Sequence, residues 1–289
     1  MFIKSVYIES FKNHLKRLGY SKSGQHMLPA CTAEFLEQME LKGINHLQEI
    51  EPKHIQEHHE YLSQRPNKRR KGGLSSQMIS HHIYAIRLFL SYQEQIENLT
   101  DNPISGLNFP RPESKEREIL TVNEIQTLYE VSSTYIEKVI IGLFYGCGLR
   151  RSEGEALNVK DISFKSTLLY VRQGKGSKRR VVPVNEKVLN DFKSYLYQER
   201  WAKDGETAFI CNNAGRRAKG DKFNKIIKEL VIKAEIKKEV SLHNLRHSIA
   251  THLLENGLSI EYVRDFLGHK HLEATQIYTR VSKKRILEL

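Results

Sequence analysis

Apolar residues recur at helical spacing through the first hundred residues, so this part of the chain is predicted to be helical. On the first predicted helix, five apolar side chains approximate one face: Val6, Ile8, Phe11, Leu15 and Leu18. Three further helices are predicted, with bounds at 28–41, 53–65 and 76–99. The last of these carries an apolar stripe formed by Ile79, Ile83, Ile86 and Leu90.

Prolines and charged residues cluster in the segment DNPISGLNFPRPESKERE, residues 101–118. This composition is typical of a linker between domains. We therefore predict a helical N-terminal domain over residues 1–106, a linker over 107–118 and a second domain over 119–289. The second domain opens on Thr121-Val-Asn-Glu124, a spacing that fits a capping box at the start of a helix.

The second domain has one segment with the pattern of strands. TLLYVRQ and RRVVPV flank the loop GKGSK, which predicts a β-hairpin. Before the hairpin, a buried helix is predicted from Ile136 to a glycine-rich turn at Leu149. After it, helical patterns resume at Val188 and continue to the end, with interruptions at Gly257 and Gly268. The predicted fold is mainly α in two domains, the second being mostly α with a small antiparallel sheet.

The charge of the chain indicates which class of partner it binds. The chain has 46 Lys and Arg against 34 Asp and Glu, a net charge of +12. Residues 111–289 hold +10 of it and residues 1–110 hold +2, which favours a polyanion bound to the second domain. Nucleic acid is the expected partner, and an anionic membrane surface is less favoured because no basic amphipathic anchor stands out in the sequence. No apolar run approaches the roughly 18 residues of a membrane span. The cysteines, Cys31, Cys147 and Cys211, form no CxxC pair, which favours a reducing cytoplasm.

Two spacings in the second domain suggest chemistry. Arg150 follows a glycine-rich turn and Glu153 comes one helical turn later, placed to orient the guanidinium through a charge-assisted pair. His243 and Arg246 are three residues apart and so lie on nearly one helical face. A histidine can move a proton there while an arginine binds an anion. His247 and His252, on the same segment, are interpreted as structural.

Four local sequences together resemble the tyrosine recombinase (phage integrase) family: GLRRSE, GKGSKRRVVPV, HNLRHSIATHLLENG and LGHKHLEATQIYTRV. The two-domain layout is also similar, although the N-terminal domain matches in layout alone. The resemblance implies a catalytic set of Arg150, Lys175, His243, Arg246, His269 and Tyr278, with Glu153 supporting it. Arg151 and Gly154 depart from the family, which usually has aliphatic or other helix-forming residues there.

The resemblance implies a site-specific DNA recombinase that forms a 3′-phosphotyrosyl intermediate. Tyr278 is then the nucleophile, and its phenol, with an ordinary pKa of about 10, needs help to deprotonate. Arg150 and Arg246 stabilise the charge that develops on the non-bridging phosphate oxygens. This scheme requires no metal or other cofactor.

The remaining members of the set handle protons. Lys175 is the expected general acid for the departing 5′-oxygen, and His243 is the candidate general base. His269 is expected to donate a hydrogen bond to the phosphate. Each role is implied by the resemblance.

Double-stranded DNA is the expected partner, bound by a tetramer that brings two sites together. The N-terminal region is too short to add an arm-binding domain to the core-binding one, which predicts short inverted-repeat sites. Integration, excision, inversion and chromosome-dimer resolution all stay open, as does the need for a second recombinase or an accessory protein.

Three other functions are compatible with parts of the sequence. A non-catalytic, sequence-specific DNA-binding protein would share the basic second domain, and a type IB topoisomerase would share the tyrosine chemistry. A zinc hydrolase would use His54, Glu57 and His58, which fit the H-x-x-E-H pattern on a predicted helix. Covalent trapping on DNA and the metal content of the purified protein distinguish these alternatives.

Overall fold

A computed structural model describes residues 4–68, 71–112, 118–172 and 179–268. The chain divides into two compact units, Met1–Lys115 and Glu116–Leu289. The fold is mainly helical with a small three-stranded antiparallel sheet, as the sequence predicts.

The first unit is built from helices α1 (Lys4–Arg17), α2 (Lys22–Leu41), α3 (Pro52–Gln64) and α4 (Ser76–Gln95). Serines set two of their starts: the hydroxyl of Ser21 accepts from the backbone of α2, and that of Ser75 accepts from the backbone of α4. The predicted helices are confirmed, with α2 beginning six residues earlier than its apolar pattern indicates.

The predicted buried face of α1 is partly wrong. Phe11 and Leu15 are fully buried, but Val6 is 59% exposed and Leu18 is 55% exposed. Five residues separate Val6 from Phe11, which places them on nearly opposite sides of a helix. Leu18 follows the last helical residue of α1, and Tyr7 packs against the core instead.

The core of the first unit extends into the proline-rich segment that follows α4. Leu99 and Ile104 are buried in this core, and Leu107 and Phe109 pack against it. Arg87 on α4 also donates a hydrogen bond to the carbonyl oxygen of Leu107, at 3.0 Å. The chain therefore stays on the first unit through residue 109.

The second unit begins with α5 (Val122–Glu130), α6 (Tyr135–Ile141) and α7 (Arg151–Ala156). The capping box of α5 is confirmed, since the Glu124 amide donates to the Thr121 hydroxyl and the Thr121 amide donates to the Glu124 carboxylate. Helix α6 continues into one π-helical turn, Gly142–Gly146, before the glycine-rich turn that leads to α7.

Strands β1 (Ile162–Ser163), β2 (Leu168–Val171) and β3 (Arg180–Pro183) form an antiparallel sheet in that order. Val171 pairs with Arg180 where β2 and β3 approach their connection, which confirms the predicted hairpin strands.

Helices α8 (Glu186–Ser194), α9 (Gly220–Lys233), α10 (Leu242–Glu255) and α11 (Ile260–Leu267) follow the sheet. The expectation of continuous helix after Val188 is wrong for residues 200–219, which contain β-bridges at Ala208 and Cys211. Asn212 explains a turn here, because its side chain accepts from the amides of Ala214 and Arg216 in competition with helical bonding.

Helices of the length and apolar character needed to cross a membrane do not occur among the described residues.

Candidate active site

Arg150 lies at the residue that caps the start of α7, and Glu153 lies in the first turn of that helix. The Glu153 carboxylate accepts from the backbone amide of Arg150 and from its Nη1, each at 2.8 Å. The charge-assisted pair predicted from their spacing is therefore confirmed as a contact.

Arg151 and Gly154, the two departures from the family pattern, both lie on α7 and have defined neighbours. Arg151 pairs with Glu155 one turn later and with Asp221 on α9. A Cβ atom at Gly154 would lie 2.7 Å from the Phe144 ring, so the absence of a side chain lets this ring pack against the helix.

Arg180, the first residue of β3, binds the same carboxylate. Its Nη1 donates to Oε1 of Glu153 at 2.9 Å, and its Nη2 donates to Oε2 at 2.8 Å. With the two bonds from Arg150, four donors occupy the roughly four acceptor positions of an ionised carboxylate. Arg246 adds a third guanidinium, with Nη1 at 3.7 Å from Oε2 of the buried Glu153 side chain.

The three guanidiniums also bind consecutive carbonyl oxygens at the C-terminal end of α11. Arg180 Nε donates to the carbonyl of Phe266 at 2.9 Å. Arg246 Nη2 donates to Leu267 at 2.6 Å, and Arg150 Nη2 donates to Gly268 at 3.0 Å. The carbonyls that end a helix have no partner within it and carry its negative dipole, so three cations stabilise this end.

The electrostatic balance of this cluster is positive. Burial by itself raises the pKa of Glu153, but the hydrogen bonds and charge of Arg180, together with the bonds from Arg150, outweigh it and lower the pKa to about 2. The carboxylate is thus ionised at neutral pH, and three guanidiniums around it leave two net positive charges. The Arg150 side chain is 22% exposed and that of Arg246 only 2%, so an incoming anion meets Arg150 first.

His243 is exposed on α10, one turn before the buried Arg246. Its ring lies edge-on to that of His247, with centroids 4.4 Å apart. His247 and His252 are both buried, and Nδ1 of His252 is 2.9 Å from the hydroxyl of Tyr145. These contacts agree with structural roles for His247 and His252.

The other predicted catalytic residues, Lys175, His269 and Tyr278, lie outside the described residues. In the sequence, Lys175 comes five residues before Arg180, and His269 directly follows Gly268. The structure thus brings together Arg150, Arg246 and Glu153, and it describes His243 on the helix of Arg246.

Arg180 is the member of this charged cluster that the sequence interpretation missed. Its signal is the alternation of β3, in which Arg180 shares a face with the fully buried Val182. Arginine is rarely buried without a partner, so an inward position in a strand predicts a buried counter-charge. The sequence does not say which carboxylate supplies it.

The residues of the H-x-x-E-H pattern lie on a helix, as predicted, but their side chains have separate partners. His54 Nδ1 accepts from the amide of Glu51 at 3.0 Å, and the Glu57 carboxylate pairs with Lys42. His58 is buried, with its ring 5.1 Å from that of Phe35. Within residues 4–68, 71–112, 118–172 and 179–268, no three His, Cys, Asp or Glu side chains converge as a metal site.

The burial of His58 predicts an acid-sensitive first unit. Burial, and then the charges of His82 and Arg65, lower the pKa of His58 from 6.5 to about 3. The unfolded chain therefore takes up a proton below pH 6.5 that the folded unit takes up only near pH 3, so stability is lost as pH falls through this window. Between pH 6.5 and 5, the unit should lose about 2 kcal/mol of its free energy of unfolding.

Limited proteolysis in urea, followed by mass analysis of fragments from residues 1–115, measures this loss. His58→Phe keeps an aromatic ring in the buried position beside Phe35 and should reduce the pH dependence, whereas the same change at the half-buried His59 serves as control. An unchanged pH dependence in His58→Phe would show that another group causes the loss.

Glu153→Gln should destabilise the second unit by about 3 kcal/mol or more, because it leaves buried guanidiniums without their counter-charge. Unfolding in urea can be followed by the fluorescence of Trp201, the one tryptophan of the chain. Glu229→Gln, which breaks an exposed pair with Lys225, should cost less than about 1 kcal/mol. Equal stability of the two variants would contradict a central role for Glu153.

Sequence comparison finds known proteins that are similar to this chain. The profile of the phage integrase family matches residues 118–285. The tyrosine recombinase XerD of Oceanobacillus iheyensis is 34% identical over 75% of this chain and 75% of its own length. The tyrosine recombinase XerA of Pyrococcus furiosus is 32% identical over 99% of this chain and 93% of its own.

The fold of this chain is also found in solved structures of similar proteins. A crystal structure of XerA recombinase is 26% identical and covers 98% of this chain and 97% of its own, with a TM-score of 0.55. The fold is also shared with XerH bound to palindromic difH substrate, at 21% identity, coverages of 96% and 83%, and a TM-score of 0.75. This chain belongs to the phage integrase family of tyrosine recombinases.

Proposed function

We propose that this protein is a site-specific DNA recombinase that cleaves and rejoins DNA through a covalent bond between Tyr278 and a 3′-phosphate. The observation that carries the proposal is the convergence of Arg150 and Arg246 on Glu153 and on the end of α11. Residues nearly 100 positions apart in the sequence meet there in a cluster with two net positive charges. A phosphodiester, like a carboxylate, is an anion whose oxygens match the planar fork of a guanidinium.

The chemistry balances without a metal ion. The Tyr278 oxygen attacks the scissile phosphorus, a phosphorus–oxygen bond to tyrosine forms, and the bond to the 5′-oxygen breaks. Arg150 and Arg246 stabilise the charge that grows on the non-bridging oxygens. The phosphotyrosyl bond keeps the energy of the broken linkage, and attack by a 5′-hydroxyl reverses the step and rejoins the strand.

Two protons move in this step. His243, exposed on α10, accepts the proton of the phenol, and Lys175 gives a proton to the departing 5′-oxygen. His269 donates a hydrogen bond to the phosphate. The exposed position of His243 supports its role, because the nucleophilic phenol has to meet both the base and the bound DNA at the surface of the domain.

Duplex DNA is the proposed partner, bound as short inverted repeats by a tetramer that joins two sites. The net charge of +10 on residues 111–289 supports a polyanion. The relatives solved with DNA include XerH with difH substrate and a lambda integrase dimer bound to a core site. Integration, excision, inversion and chromosome-dimer resolution are all compatible with this chemistry, with or without a second recombinase or accessory protein.

Covalent trapping tests the proposal and identifies the target sequence in the same experiment. The protein is incubated with fragmented genomic DNA of its source organism and then denatured, and the DNA that stays attached is sequenced. We expect fragments that share a short inverted repeat, joined to a peptide whose modified residue is Tyr278 by mass spectrometry. DNA that is lost on denaturation would indicate a non-catalytic binding protein, and adducts without a shared sequence would indicate a topoisomerase.

A further inference from the structure

The side chain of Arg180 binds several groups of the charged cluster around Glu153. It binds both oxygens of Glu153, the carbonyl of Phe266 and, at 3.5 Å, the carbonyl of Gly148. Its side chain is only 9% exposed. One guanidinium thereby connects the sheet, the turn before α7, helix α7 itself and the end of α11.

The same groups orient the two arginines of the proposed reaction. Glu153 binds Arg150, and the carbonyl of Gly148 also accepts from Nη1 of Arg246. The carbonyls of Leu267 and Gly268, next to the one that Arg180 binds, accept from Arg246 and Arg150. These hydrogen bonds of the two arginines therefore lie on groups that Arg180 also binds, or on neighbours of those groups in the chain.

The packing around Arg180 leaves little room for a different arrangement. Gly268 ends α11 in the left-handed conformation, with φ of 65°. A Cβ atom at this position would lie 3.0 Å from Cδ of Arg180 and 3.3 Å from its Nη1. A lysine at position 180 could not replace these bonds, because its ammonium lacks the planar fork that binds two carboxylate oxygens and a carbonyl together.

We propose that Arg180 is a positioning residue that fixes Glu153 and the end of α11, and through them sets Arg150 and Arg246 to receive the scissile phosphate. This inference rests on the proposed function. Arg180 does not touch the reacting atoms in this scheme. Its effect is on the placement of the charges that stabilise the transition state, where an error of about 1 Å can cost about 10²-fold in rate.

The test measures single-turnover cleavage by the full chain on inverted-repeat DNA recovered by covalent trapping. Arg180→Gln should slow cleavage by about 10²-fold at saturating DNA while leaving the affinity for DNA close to that of the wild type. The cleavage rate of Arg180→Lys should fall between that of Arg180→Gln and that of the wild type. Arg179→Gln is the matched control, because this exposed neighbour gives the same change of charge and should cleave at the wild-type rate.

Two modified substrates identify the charges that are misplaced. Replacing one non-bridging oxygen of the scissile phosphate with a methyl group reduces the developing charge, so the defect of Arg180→Gln should shrink. Replacing the bridging 5′-oxygen with sulfur removes the need for a proton and should leave the defect in place. Rescue by sulfur would overturn the proposal, because it would assign Arg180 to the placement of the general acid.

Urea unfolding of each variant separates positioning from loss of the fold. If Arg180→Gln does not fold, Arg180→Lys decides, and cleavage by a folded Arg180→Lys at the wild-type rate would overturn the proposal. Equal defects in Arg179→Gln and Arg180→Gln would overturn it as well. Failure of the wild type to form an adduct through Tyr278 would instead refute the proposed function.

Discussion

Tyr278→Phe is expected to abolish covalent attachment to DNA while leaving DNA affinity unchanged. The substitution removes the nucleophilic oxygen and keeps the aromatic ring, so the charges that bind the duplex stay in place. Gel electrophoresis under denaturing conditions measures the adduct on trapped inverted-repeat DNA, and a mobility-shift assay measures binding. Tyr262→Phe, a change at a tyrosine that is 72% exposed on α11, is the matched control and should form adduct as the wild type does.

An adduct that persists in Tyr278→Phe would show that another residue attacks the phosphate. Mass spectrometry of the linked peptide would then identify it. Loss of DNA binding together with the adduct would place Tyr278 in recognition of the duplex instead of nucleophilic attack.

Local spacing is sufficient to predict the contacts that lie within one helix. Arg150 and Glu153 are three residues apart, so a helix that begins at residue 151 places one over the other. Thr121 and Glu124 form a capping box for the same reason, and the alternation of β2 and β3 identifies the hairpin strands. Each prediction uses only the repeat of an element and the residue type at its ends.

Contacts between distant segments leave little trace in one sequence. Nothing near Arg180 indicates that its partner is Glu153, 27 residues earlier, or the end of α11, 86 residues later. The helical prediction for residues 200–219 overlooks Asp204-Gly205 and the run from Asn212 to Gly215, which are typical of turns. The Asn212 side chain accepts from two backbone amides in the second of these turns. Val6 is predicted on the wrong face because counting apolar residues ignores their angle around the helix.

The structure also distinguishes two arginines that the motif treats alike. Arg246 is almost fully buried and donates to the carbonyls of Gly148 and Leu267, whereas Arg150 keeps a partly exposed side chain. In the proposed reaction Arg150 is therefore the arginine that first meets the phosphate, whereas Arg246 joins the turn before α7 to the end of α11. The proposed active site depends on both arginines. Arg150 acts by contact with the phosphate, and Arg246 contributes its charge and also holds the local structure together.

Lys175→Ala is expected to slow strand cleavage by roughly 10²–10⁴-fold with DNA binding retained. Lys175 is proposed to give a proton to the departing 5′-oxygen, and an alkoxide that leaves without a proton is strongly disfavoured. Single-turnover cleavage on trapped inverted-repeat DNA measures the rate. Lys165→Ala removes an exposed lysine between β1 and β2 and should cleave normally.

Sulfur at the bridging 5′ position determines which step Lys175 assists. A thiolate is a stable leaving group without protonation, so the defect of Lys175→Ala should largely disappear on this substrate. Arg246→Ala should keep its defect there, because the charge that it loses acts on the non-bridging oxygens. If sulfur does not rescue Lys175→Ala, the lysine binds the phosphate or anchors the segment between β2 and β3, and the proton comes from His243 or water.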